Sequence, residues 1–145
     1  MVLRQVLYGS SAVLPITQTE IDDILSGARR RNAETGITGI LFYLEGNFLQ
    51  LLEGEEPALS ETYQRIAKDQ RHRNLIKLVD GTISQRSFAG EAMGFRAING
   101  QEIDANPELF VHSNGRWILR DGAGVDERLK ILIETFLMVN EGRGY

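Results

Sequence analysis

Asn47-Phe48-Leu49-Gln50-Leu51-Leu52-Glu53-Gly54 reads as a short strand that is apolar on both faces and carries an amide at its centre. Alternation places Phe48, Gln50 and Leu52 on one face and Leu49 and Leu51 on the other. A glutamine flanked by Phe and Leu on its own face is expected to be buried, and a buried amide needs partners for its oxygen and both N–H groups. Either a neighbouring hydroxyl or backbone group supplies them, or a bound polar heterocycle does.

Upstream, Ile37 to Leu44 is a second apolar stretch, joined to the first through Glu45-Gly46-Asn47, so the two form a hairpin. Val2 to Tyr8 reads as the first strand of the chain, closed by Gly9-Ser10-Ser11. Thr17 to Arg31 reads as a helix, with Thr17 as N-cap, Glu20 completing a capping box, and Ile21, Ile24, Leu25 and Ala28 forming an inward stripe that Asn32 extends. Gly36 ends that segment. Pro57 suits the first turn of a second helix running to about Gln70, with Leu59, Thr62, Tyr63 and Ile66 inward and Arg71-His72-Arg73 at its exit. Leu75 to Ser84 and Ala92 to Ile98 read as a fourth and a fifth strand. Breakers follow at Asn99-Gly100 and Asn106-Pro107; Asn114-Gly115 either turns a small hairpin or belongs to an irregular cap. Asp126 to Val139 is a helix in which Leu129, Leu132, Ile133, Phe136 and Val139 keep helical spacing. Ile131, Leu137 and Met138 widen its apolar face, so its own sheet or another chain must cover it.

The order β-α-β-β-α-β-β has few solutions. Right-handed crossovers with both helices on one sheet face give strand order 4-1-3-2, a ferredoxin-like α+β fold, with the C-terminal helical cap on the other face. Strands one and three are then antiparallel neighbours, and Tyr8, Gln50, Asn32 and Arg65 converge on a groove between the helices.

Composition sets the limits. The chain has 145 residues, 42% hydrophobic and 25% charged, with formal charge −4 and no block of like charges. That suits one soluble domain and gives no reason to expect nucleic acid as a partner. Without cysteine there is no disulfide, thiolate metal site, cysteine nucleophile or cysteine–cofactor adduct, and two histidines make a poor metal inventory. Neither a signal peptide nor a membrane-spanning run is present, so a cytoplasmic location is expected.

Tyr8, Asn32, the Gly36-Ile37-Thr38-Gly39 run, Phe48 to Gly54, Asp69-Gln70-Arg71-His72 and Met93, taken in order and at their spacing, resemble a BLUF domain, a blue-light sensor using flavin adenine dinucleotide. The resemblance spans residues 1 to about 98; residues 99–145 resemble the C-terminal cap and interaction segment of short, stand-alone members. It implies a non-enzymatic photoreceptor that binds FAD, with FMN as the alternative. Tyr8 would give an electron and a proton, Gln50 would lie between Tyr8 and the flavin, and Met93 would report on Gln50. Asn32 and Arg31 would meet the pyrimidine edge, Ile24 and Ile66 would flank the ring, and Arg65, Asp69, Arg71 and His72 would meet the ribityl and phosphate chain. The output would pass through strand five and the C-terminal helices to a separate effector, a cyclic-nucleotide enzyme by family analogy, in a homo-oligomer. Many relatives carry tryptophan where this chain has Glu91, which favours Met93 and its strand as the output element. Two other readings compete: a light-independent dimeric module that binds a small molecule, and an acyl-phosphate hydrolase using Gly9-Ser10-Ser11 as a phosphate loop.

Overall fold

The structure is a computed structural model that describes residues 2–44, 46–90, 92–97, 110–113, 116–119 and 125–141. Glu91, the breakers at 99–107 and the Asn114-Gly115 turn lie outside the described residues.

Helix α1 (Gln18–Thr35) begins at the expected capping box: Glu20 N donates to Thr17 Oγ1 (3.2 Å) and Thr17 N to Glu20 Oε1 (3.3 Å). It runs four residues past Arg31 and stops at Gly36, whose φ of 74° is a left-handed conformation suited to glycine. Strands β2 (Thr38–Leu44) and β3 (Asn47–Glu55) form the expected hairpin. Helix α2 (Ala58–Ala67) is shorter than expected. Of Arg71-His72-Arg73, read as a helix exit, the last two residues instead open β4 (His72–Ile83), because His72 and Arg73 pair with Ala12 and Ser11.

Strand β1 (Leu3–Ala12) corrects another expectation. Gly9-Ser10-Ser11 does not turn the chain but continues the strand, paired with β3 on one side and β4 on the other. Turn composition is a local preference, and pairing on two sides overrides it. Gly9-Ser10-Ser11 is therefore not the phosphate loop that the acyl-phosphate hydrolase reading assigned to it.

The sheet order is β4-β1-β3-β2-β5, the expected four strands with β5 (Gly94–Ala97) added parallel to β2. Alternation along β3 divides the core. Phe48 and Leu52 join Val6 and Leu41 under Ile21 and Leu25 of α1 and Leu59 of α2. Leu49 and Leu51 join Leu7, Ile40 and Phe42 against Leu129, Ile133 and Leu137 of helix α3 (Glu127–Glu141). The buried ridge of α3 thus repeats every four residues, while Ile131, Met138 and Val139 stay exposed. Strands β6 (Phe110–Ser113) and β7 (Arg116–Leu119) make the small antiparallel hairpin.

The β2–β3 contact is unusually close at one point. A Cβ on Gly39, whose φ is 157°, would lie 1.9 Å from the carbonyl oxygen of Leu51. Only glycine lets the two main chains approach this far.

Candidate flavin-binding site

Tyr8 and Gln50 sit directly opposite each other on β1 and β3. Both are buried, and both point to the face covered by α1 and α2. Tyr8 Oη donates a hydrogen bond to Gln50 Oε1. Gln50 Nε2 donates to Met93 Sδ at 3.4 Å, with Met93 itself buried. A neighbouring hydroxyl does satisfy the amide oxygen. Among the described residues its nitrogen has only a thioether, which is a weak acceptor.

Next to this pair lies a cavity of about 360 Å³, within the ~300–1,000 Å³ range of small-molecule sites. Its floor is Tyr8, Leu41, Phe48, Gln50 and Leu52 of the sheet. The walls come from α1 (Asp23 to Asn32) and α2 (Thr62, Arg65, Ile66), with Asp69, Arg71 and His72 beyond α2. Every binding residue expected from the sequence therefore lines one space: Tyr8, Ile24, Arg31, Asn32, Gln50, Arg65, Ile66, Asp69, Arg71 and His72. Met93 reaches it through Gln50.

Burial sets the chemistry of Tyr8. Loss of hydration, then the neighbouring Tyr63 and Asp69, push its phenol well above the ordinary tyrosine range. Tyr63 stands edge-on to Tyr8, with centroids 5.7 Å apart and planes at 77°, and Lys77 Nζ lies 4.7 Å above the Tyr63 ring. Asn32 is buried at the end of the α1 stripe; one N–H goes to Ala92 O at 2.7 Å, which leaves the rest of the amide for the cavity it lines. His72 has both ring nitrogens engaged by the protein, Nδ1 with Ser10 Oγ (2.8 Å) and Nε2 with Ile66 O (2.7 Å). It is a strut between β1 and α2 in the cavity lining.

The mouth is cationic although the chain is acidic overall. Arg30, Arg31, Arg65 and Arg71 line it against Asp23 and Asp69. Desolvation, then repulsion from Arg65, Arg30 and Arg71, lowers the pKa of Arg31. Arg71 is held by Asp69 through a forked pair (2.9, 3.1 and 2.5 Å), and that hydrogen bonding lowers the Asp69 carboxyl and raises the Arg71 guanidinium. Positive charge concentrated at one rim suits an anionic ligand group.

The sequence reading missed Asp23, Arg29, Arg30 and Thr62. Arg29 donates from Nε to Met93 O at 2.9 Å; its place three residues before Asn32 on α1 was the available signal. Thr62 was read as an inward residue, and the structure adds that it lines the cavity.

The family model for sensors of blue light using FAD matches residues 3–94. The chain belongs to the BLUF family. It is 36% identical over 127 residues to the blue light- and temperature-regulated antirepressor BluF of Escherichia coli (strain K12), covering 87% of this chain and 30% of that protein. Over 89 residues it is 35% identical to photoactivated adenylate cyclase subunit beta of Euglena longa, covering 61% of this chain and 10% of that protein. The chain thus spans a small part of these curated relatives. Among solved structures, the dark-state BLUF protein BlrB superposes with a TM-score of 0.64 at 31% identity, over 66% of this chain and 73% of that one. Klebsiella pneumoniae BlrP1, in a manganese/cyclic diGMP complex, gives a TM-score of 0.74 at 29% identity, over 94% of this chain and 33% of that one.

The cavity fits the family's cofactor on its own evidence. It is open and flanked by Ile24 and Ile66, carries amides at one end, and has guanidinium groups at its rim. A flat heterocycle with a polar edge and a phosphate tail asks for these features. No helix among the described residues is long and apolar enough to cross a membrane.

Proposed function

We propose that this BLUF chain is a photoreceptor in which Tyr8 is the electron and proton donor and Gln50 is the group that changes. The observation that carries this reading is the buried Tyr8–Gln50 hydrogen bond in the cavity floor. When bound, the flavin supplies a ring that absorbs blue light and becomes a one-electron oxidant. Ile24 and Ile66 would hold the ring faces, Asn32 and Arg31 its pyrimidine edge. Arg65 and Arg71 would meet the phosphates, with Asp69 fixing Arg71 and His72 bracing the wall.

Tyr8 cannot ionise beforehand, because burial disfavours the phenolate. Electron loss from Tyr8 therefore takes the proton with it, and the atom waiting at the O–H is Gln50 Oε1. The amide can take that proton on oxygen and give one up from nitrogen to the bound flavin, which would hold the electron, or it can turn by half a revolution. Both exchange donor for acceptor at the cavity wall. Turning is cheap on one side, since it gives up only a thioether contact to Met93. Met93 directly precedes β5 and senses which end of the amide faces it. The reading assigns this chain a signalling step and no turnover.

Output would run through β5 and α3 to a separate effector protein. Relatives named for adenylate cyclase or solved with cyclic diGMP favour a cyclic-nucleotide enzyme. The exposed Ile131, Met138 and Val139 on α3 suit self-association or that partner. The division at about residue 98 and a cytoplasmic setting belong to the same proposal.

One measurement tests the core of it: the absorption of the flavin-loaded protein before and after blue light. The expected result is a small red shift that reverses in the dark, absent in Tyr8→Phe. A protein that cannot be loaded with flavin, or a normal shift in Tyr8→Phe, refutes the reading.

A further inference from the structure

Glu53 takes no part in the cavity. It sits on the opposite face of β3 from Gln50, with Leu49 and Leu51, and is completely buried. A carboxylate on an apolar face needs full compensation, and its partners come from far along the chain. Oε1 accepts from Thr38 Oγ1 (3.1 Å) and Phe88 N (3.0 Å), and Oε2 accepts from Ser87 N (2.5 Å). Arg86 Nη1 adds bonds to Thr38 Oγ1 (2.9 Å) and to Glu53 O (3.1 Å). The start of the connection between β4 and β5 is thereby clasped to the β2–β3 hairpin.

That connection visits both layers of the core. Phe88 is buried in the cluster that holds Leu129, Ile133 and Leu137 of α3. Five residues on, Met93 is buried in the cavity-side cluster with its sulfur at the Gln50 amide. The far end is tied separately, by Asn32 at Ala92 O and Arg29 at Met93 O. We infer that Glu53 is a positioning residue for signal output: its clasp fixes residues 86–88 against β3, so that a change at Gln50 reaches α3 through Met93 and Phe88. With the clasp open, the 87–88 amides lose their tie to the Glu53 side chain, and motion at Met93 dissipates before Phe88. The inference rests on the photochemical reading above.

Glu53→Gln opens the clasp gently. Gln5 lies directly across from Glu53, and its buried Oε1 has no hydrogen-bond partner among the described residues. A carboxamide at position 53 brings an N–H that this oxygen can accept, while it lacks the second acceptor that the 87–88 amides require. Thr38→Val removes one donor to Glu53 and the hydroxyl that accepts from Arg86, without touching the charge. The experiment uses the full, flavin-loaded chain and measures the light-induced absorption shift together with hydrogen exchange across 129–137 in darkness and under blue light. The expected result is a light-dependent change in α3 exchange in the wild type. Glu53→Gln reduces that change at least fivefold and Thr38→Val about twofold, both with the absorption shift intact. Wild-type light dependence of α3 in both variants overturns the inference, as does an unresponsive α3 in a wild type that still shifts. A wild type without any absorption shift removes the photochemical reading and this inference with it. If Glu53→Gln does not fold, Thr38→Val alone decides.

Discussion

Replacing Tyr8 by Phe probes the buried phenol through the pH dependence of stability. The substitution removes the hydroxyl that donates to Gln50 Oε1 and leaves a buried oxygen without that donor; near neutral pH this costs about 1–3 kcal/mol. Burial raises the folded-state pKa of Tyr8 far above its ordinary value. An unfolded tyrosine titrates near pH ~10, so above that pH the unfolded wild type releases a proton that the folded state keeps. A group raised in this way contributes its full stability below the unfolded pKa and loses it as pH climbs. By pH ~11 the loss from this one phenol is about 1.4 kcal/mol, the free energy of ionising a group one unit above its pKa. The wild type should therefore lose its lead over Tyr8→Phe by about 1.4 kcal/mol between pH ~8 and ~11. Urea denaturation at matched flavin concentration measures this, and subtracting the variant cancels the other three tyrosines, 43, 63 and 145. A gap that stays constant over this range would mean that Tyr8 ionises in the fold as it does in water, and the coupled electron–proton argument would fail with it.

Gly39→Ala should cost about 3 kcal/mol or more, or prevent folding, because the new Cβ meets the Leu51 carbonyl; an alanine variant of wild-type stability would show that β2 and β3 are not this close. Arg65→Gln should weaken FAD binding about fivefold, the equivalent of roughly 1 kcal/mol, and leave riboflavin binding nearly unchanged in fluorescence titrations. Equal losses for both ligands would remove Arg65 from the phosphate end. Asp69, held low by Arg71, contributes stability above the unfolded carboxyl pKa that is lost as pH falls through its lower folded value. The pair is about a third exposed, so Asp69→Asn should cost under ~1 kcal/mol at pH 7 and the gap to the wild type should narrow steadily as pH falls below the unfolded carboxyl pKa of ~4; a gap that does not narrow in acid contradicts the ion pair.

Much of this was legible because several signals are local. The Thr17–Glu20 capping box, the Gly36 stop and the alternation through Gln50 each depend on residues close in the chain. The convergence of Tyr8 and Gln50 followed from handedness rules, which fix topology without any knowledge of packing. The misses are all tertiary. Gly9-Ser10-Ser11 reads as a turn until β4 pairs along it, and His72 reads as a helix exit until Ser10 and Ile66 take its two nitrogens. Glu53 carries no local mark, and Arg29 only its place one turn before Asn32. Their roles come from carbonyls and amides dozens of residues away, and a sequence reveals such partners only once the chain has been folded around them.

The thioether beside Gln50 has a bearing on ageing. Sulfoxidation of Met93 would place a strongly polar S=O where a feeble acceptor now stands, and the glutamine N–H would be gripped in a single pose. Under the proposed photochemistry such a molecule would remain yellow yet blind, so photobleaching and loss of responsiveness would part company under prolonged illumination. The almost complete seclusion of that sulfur from solvent is what keeps the two together.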